Sequence, residues 1–207
     1  MDGLLANGSL AVTAVFDKPD SAAGPTFEET LLVTPSGLPE QVLAATIATA
    51  ERAARALGLG HGPIHAELRI GTRRGRRAPA MLELAARSIG GLCARALRFP
   101  GGVSLEELVL ANALGHRPPP PHLGRPSGVL MLHAERGGTL EAVDGKAEAA
   151  AIPGITGLTI TVPVGQRVHP LPEGDRYLGF IFAEAGTPPD TAAALRAARS
   201  QLRMTIR

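Results

Sequence analysis

The chemistry in this sequence gathers in one stretch: Gly62-Pro-Ile-His-Ala-Glu-Leu-Arg-Ile70, then Gly71-Thr-Arg-Arg-Gly-Arg-Arg77, then Ala78-Pro-Ala-Met-Leu-Glu-Leu-Ala-Ala-Arg87. Two runs of alternating polar and apolar residues flank a glycine-centred basic segment, which is a β-hairpin pattern. Alternate side chains of a strand point to opposite faces. One face then carries Ile64, Ala66, Leu68 and Ile70, with Ala80, Leu82, Leu84 and Ala86 across the turn. The other carries His65, Glu67, Arg69, Met81, Glu83 and Arg87. A turn centred on Gly75 pairs residues whose numbers sum to 150, which sets Glu67 directly opposite Glu83. Opposed side chains sit ~4.5–5.5 Å apart at Cβ, and like charges there are destabilising. At ~5 Å and an effective dielectric of ~20 the repulsion is ~3 kcal/mol. Protonating one carboxylate relieves it, and so does a cation between the two. Carboxylate oxygens suit Mg²⁺, which is typically held by one or two carboxylates plus substrate phosphates. A competing reading is a solvated face on which Arg69 and Arg87 screen the two glutamates, and five polar turn residues also allow the register to slip.

The elements that must position this hairpin are partly legible around it. Residues 10–16 and 29–34 read as strands, the second stopped by Pro35-Ser36-Gly37. Residues 39–57 read as the longest helix, with Val42, Ala45, Ala53 and Leu57 as its apolar stripe and Gly58 and Gly60 at its end. That helix is expected to cover the apolar face of the hairpin. Ser104 with Glu107 forms a capping box that opens a helix over residues 105–114, stopped by Gly115. Four consecutive prolines in residues 117–126 favour an extended linker, dividing the chain into residues 1–116 and 127–207. In the second part, residues 128–133 and 139–143 read as a hairpin around Gly137-Gly138, and residues 155–162 and 177–183 as two more strands. Thr187-Pro-Pro-Asp190 begins a helix running to about Gln201, with Met204-Thr-Ile206 as a last strand. The expected class is α+β: a mainly antiparallel sheet with packed helices, followed by a small α+β domain.

Composition bounds the rest. Of 207 residues, 44% are hydrophobic and 19% charged, enough for a core and too little charge for bulk disorder. No apolar run approaches the ~20 residues of a membrane helix, and the start of the chain lacks a secretory pattern. Cys93 is the only cysteine, which excludes an internal disulfide framework and a cysteine-based zinc site; it reads as a small buried hydrophobe in a reducing, cytoplasmic setting. Aromatic residues are 3% of the chain and tryptophan is absent, so there is no stacking platform for nucleic acid. Neither nucleic acid nor a membrane is an expected partner. The dense run Arg73 to Arg77 reads as an exposed hairpin tip outside the chemistry.

The order of motifs does, however, resemble a known family. FDKPD (16–20), GPTFEET (24–30), VTPSGLP (33–39), a helix, GPIHAELR (62–69), MLELAARSIGGLC (81–93) and SLEELVLANALG (104–115) together resemble the C-terminal half of ATP-grasp enzymes of the carboxylate–amine ligase type. The nearest branch is that of the L-amino-acid ligases, with biotin carboxylase more distant. The resemblance covers roughly residues 1–116, and residues 127–207 are similar in pattern to the small C-terminal domain of the same branch. It implies ATP and Mg²⁺ (or Mn²⁺) as cofactors, with small carboxylate and amine substrates joined through an acyl phosphate. Glu67 matches the first magnesium-ligand carboxylate and Glu83 the second, which usually bridges two metal ions. Arg87 matches the arginine that holds the substrate carboxylate or acyl phosphate, for which a guanidinium is the natural bidentate partner. Gly90 and Gly91 match the loop that approaches the acceptor; the absence of a bulky residue near Gly91 implies room for a larger one. Lys18 matches a phosphate contact, with plain solvation as its competing reading. Glu28 and Glu29 lie near the substrate pocket in the pattern, with surface charge the role of at least one. His65 reads as structural before catalytic, and His61, His116, His122, His133 and His169 have no ligand spacing.

In one respect the sequence departs from the family. Family members carry a nucleotide-binding lobe before this region, and nothing before Met1 supplies it. The expectation is therefore a chain acting as the C-terminal half of a longer or split enzyme, inactive alone and partnered by an N-terminal half. The alternative is a non-catalytic remnant or binding module of the same fold; a decayed site would not require both carboxylates and the arginine.

Overall fold

The computed structural model describes residues 1–20, 30–73, 75–116, 124–170, 174 and 176–207. In chain order its elements are β1 (Asp2–Ala6), β2 (Ser9–Ala14), β3 (Leu31–Thr34), α1 (Glu40–Ala56), β4 (Gly62–Arg73), β5 (Arg76–Ala85), α2 (Leu105–Ala113), β6 (Ser127–Leu132), β7 (Gly138–Asp144), α3 (Lys146–Ala150), β8 (Ile155–Ile160), β9 (Arg167–Val168), β10 (Gly179–Glu184), α4 (Pro188–Gln201) and β11 (Arg203–Ile206). This is the α+β class expected, with antiparallel strand pairing and packed helices.

Contacts divide the chain into two units, Met1–Val15 with Ser36–Gly124, and Phe16–Pro35 with Arg125–Arg207. Here the structure differs from a division at the proline-rich segment alone. Residues 16–35 belong with the second unit because β3 pairs with β6, Leu31 opposite Leu130 through Thr34 opposite Ser127. The prolines at 118–121, with Glu28 and Glu29, lie outside the described residues.

In the first unit the sheet order is β2-β1-β4-β5. β1 and β2 meet through Asn7 and Gly8, with φ of 51° and 77°. Two adjacent left-handed residues make the turn that matches the twist of a two-residue hairpin. α1 packs against β5 and β2, and Ala50 joins Met1, Ala66, Ile47, Leu68 and Met81 in one apolar cluster. The helix therefore covers the hairpin as expected, but its buried residues are Thr46, Ala50 and Ala54, while Ala45 and Leu57 are exposed. The stripe lies about one residue round from the one the sequence favours. Its end is closed by Gly58 in the left-handed region, whose N–H donates to Arg55 O, and by Leu59, whose N–H donates to Ala54 O. α2 opens with the expected capping box at Ser104 and Glu107. Asn112 ties α2 to the sheet, its Nδ2 donating to Leu5 O at 3.1 Å.

The second unit has a sheet of order β3-β6-β10-β8 and a smaller one of order β11-β7-β9. β6 and β7 do not form the expected hairpin; each pairs with strands distant in sequence. α4 begins at the expected cap, Thr187 Oγ1 accepting the Asp190 N–H, and packs on β6 and β10. Gly128 permits that approach: a Cβ there would lie 2.7 Å from Leu32 O and 3.1 Å from Leu195 Cδ1. The core gathers Leu132, Leu140, Ile181 and Leu195. Cys93, in the first unit, is a buried thiol.

Candidate active site

Three adjacent strands and one loop of the first unit build the site. On β4 and β5, Glu67 lies directly opposite Glu83, with His65 opposite Ala85 and Ala66 opposite Leu84. These pairs sum to 150, the register expected from a turn centred on Gly75. The route to that register is different. The turn pairs Arg73 with Arg76, and Leu68 pairs with Met81, so the tip runs on a sum of 149. One extra residue, Leu82, is inserted between the two registers as a β-bulge. It moves Met81 from the polar to the apolar face, where it packs with Ala66, Leu68 and Leu84. Leu82 is turned out, 46% exposed, immediately before Glu83.

The two carboxylates differ in setting: the Glu67 side chain is 21% exposed and that of Glu83 57%. Arg87 lies beyond β5, in the following loop, with Nη2 3.9 Å from Glu83 Oε1 and Nη1 donating to Ser88 O at 3.0 Å. The loop goes on through Gly90, where an added Cβ would stand 3.6 Å from Arg87 Nη1, and Gly91 at φ 60°. Arg87 and Gly90 thus lie together in the loop beside Glu83, with Gly91 next in sequence. Lys18 belongs to the second unit, following Asp17, which bridges Val33. Arg69, Arg76 and Arg77 are exposed along the tip.

His65 is buried among acids. Its Nδ1 lies 3.2 Å from Asp2 Oδ1 and its Nε2 3.7 Å from Glu67 Oε1. Burial disfavours the charged ring, but the hydrogen bond to Asp2, the nearby Glu67 carboxylate and the charge of Asp2 outweigh it, and the pKa is pushed up to about 9. Asp2 Oδ1 also accepts the Ile89 N–H at 2.9 Å. Asp2 was missed because residues 2–6 do not read as a strand by alternation; the Asn7-Gly8 pair was the signal that would have found that strand and its neighbour.

Two carboxylates on adjacent strands, one of them open to solvent, fit the donor set of a hard divalent cation that takes its remaining ligands from phosphate and water. Among the described residues no group of three or more His, Cys, Asp or Glu is placed to hold a metal by itself.

Comparison with known proteins agrees with this fold. Residues 1–96 match the ATP-grasp domain, and residues 130–207 match L-amino acid ligase C-terminal domain 2. The chain therefore resembles an ATP-grasp segment followed by a C-terminal domain of the L-amino acid ligase type. Its whole length aligns with 51% of the L-amino acid ligase from Bacillus licheniformis, at 26% identity and a TM-score of 0.81. It likewise aligns with 52% of phosphoribosylglycinamide synthetase from Anaerococcus prevotii, at 12% identity and a TM-score of 0.77. The biotin carboxylase domain of the 2-oxoglutarate carboxylase from Hydrogenobacter thermophilus, in complex with MgADP, shares the fold at 15% identity and a TM-score of 0.67, with 99% of this chain and 45% of that one covered. The chain spans about half the length of these solved structures. The curated proteins gave no match. No helix among the described residues is long and apolar enough to cross a membrane.

Proposed function

We propose that this chain supplies the metal-binding and acid-binding part of an ATP-dependent carboxylate–amine ligase. The observation that carries the reading is the opposition of Glu67 and Glu83 on adjacent strands with Arg87 beside Glu83. In the complete reaction a substrate carboxylate attacks the terminal phosphorus of ATP, giving an acyl phosphate and ADP. An amine then attacks the acyl carbon and phosphate leaves. A divalent cation, Mg²⁺ or Mn²⁺, would neutralise charge on the phosphates when bound.

The chain's own residues have separate tasks. Glu67 and Glu83 hold the cation. Arg87, with two parallel N–H donors, grips the carboxylate and the acyl phosphate that replaces it. Gly90 and Gly91 let the backbone come close to the acceptor, and the missing side chain at Gly91 leaves room for a larger amine. Lys18 is assigned to a nucleotide phosphate on the family resemblance alone. The residues at the hairpin tip take no part.

Manganese serves as a spectroscopic probe of the metal site. Titrating the 207-residue chain with Mn²⁺ and reading free ion by electron paramagnetic resonance should reveal a site that weakens at least tenfold in Glu83→Gln. An unchanged affinity in Glu83→Gln would overturn the reading.

A further inference from the structure

One buried carboxylate, outside the set just described, joins the halves of the site through a single atom. Asp2 is 1% exposed. Its Oδ1 accepts the Ile89 N–H at 2.9 Å and lies 3.2 Å from His65 Nδ1. Ile89 is two residues from Arg87 and next to Gly90, so that bond fixes the loop bearing the proposed substrate contacts. His65 in turn brings Nε2 to 3.7 Å from Glu67 Oε1. One oxygen on β1 thus governs both the loop after β5 and the side chain next to a metal carboxylate on β4.

The arrangement is costly for a purely structural tie. The other oxygen, Oδ2, is buried with no hydrogen-bond partner. Desolvating a carboxylate and leaving half of it unpaired lowers stability, and a neutral side chain would tie β1 to Ile89 without that cost. What the carboxylate adds is a charged acceptor strong enough to hold two donors at one point.

We propose that Asp2 is a positioning residue: through Oδ1 it keeps the Arg87–Gly91 loop and the His65–Glu67 pair in one fixed arrangement. The purpose of that arrangement rests on the ligase reading; the tie itself does not.

Amide exchange and metal binding in the 207-residue chain separate the two. Asp2→Ser and Asp2→Asn are compared with wild type, with urea melts to establish that each variant folds. Asp2→Ser should speed exchange at Ile89 about 10- to 100-fold beyond any change at amides in the centre of β4, the size expected for losing a hydrogen bond to a charged group. Both variants should weaken Mn²⁺ binding about tenfold, as losing an outer-shell partner does. His65→Gln leaves Asp2 and its bond to Ile89 in place, and should weaken Mn²⁺ while sparing Ile89. Exchange at Ile89 that rises no more than in β4 would overturn the proposal, reducing Asp2 to general stability. So would Mn²⁺ binding that Asp2→Asn and His65→Gln both leave untouched. If wild type itself binds no Mn²⁺, the metal reading falls, and exchange at Ile89 decides alone whether Asp2 fixes the loop.

Discussion

His65 holds its proton because two acids face it, and that has a consequence for stability against pH. The folded state binds the proton more tightly than an exposed imidazole, whose ordinary pKa is 6.5. The stabilisation is therefore fully present below pH 6.5 and is lost as the pH rises through about 9. Urea midpoints of the wild-type chain should fall across that window, and those of His65→Gln should fall less. A midpoint that rises in alkali, or the same slope in both proteins, would mean that the ring is neutral in the folded state. The residues behind this were unevenly legible. His65, Glu67 and Glu83 could be read from period-two alternation, because a strand buried on one face sorts its side chains strictly. Asp2 could not, since its partners, His65 and Ile89, are 63 and 87 positions away and nothing local marks a buried acid.

The hairpin shows how an element can reach the expected pairing by an unexpected path. Alternation through Met-Leu-Glu-Leu fits with or without a bulge, because Met81 and Leu82 are both apolar and either can fill the inner place. Packing decides: Met81 goes inward and Leu82 outward. Deleting Leu82 should therefore remove the bulge and leave Met81 opposite Leu68 and the shifted glutamate opposite Glu67. The urea midpoint should stay close to that of wild type, since an exposed residue has little packing to lose, and Mn²⁺ affinity should stay within a few-fold. A folded deletion variant that no longer binds Mn²⁺ would show that the bulge itself aims Glu83. β6 and β7 mark the opposite limit. Their spacing suits a hairpin, yet β6 takes β3 and β10 as partners while β7 takes β11 and β9, and such long-range choices leave no local trace. Helix ends were better marked, because the caps at Ser104 and Thr187 and the glycine at 58 act through neighbours only a few residues away.

At the scale of the whole molecule, every part of the chain has a counterpart in the Bacillus licheniformis ligase, but only half of that ligase has a counterpart here. Phosphoryl transfer involves little covalent chemistry by the protein and depends on positioning and charge neutralisation. Residues 1–207 offer two carboxylates, an arginine and a glycine-containing loop. The other half of the ligase's length is not represented among them. Alignment of reactants is worth ~7–11 kcal/mol of barrier in favourable cases, so a clamp with one side should lose nearly all of its rate even where the metal still binds. The 207-residue chain alone, mixed with Mg-ATP and a panel of amino acids, should release no phosphate above the rate without protein. Supplying the other half of an ATP-grasp ligase of this branch, as a separate chain or as a fusion ahead of Met1, should restore release that depends on amino acid and vanishes in Glu83→Gln. Amino-acid-dependent release by the chain alone, abolished in Glu83→Gln, would show that residues 1–207 already hold ATP in a reactive pose and that the half-clamp argument is wrong.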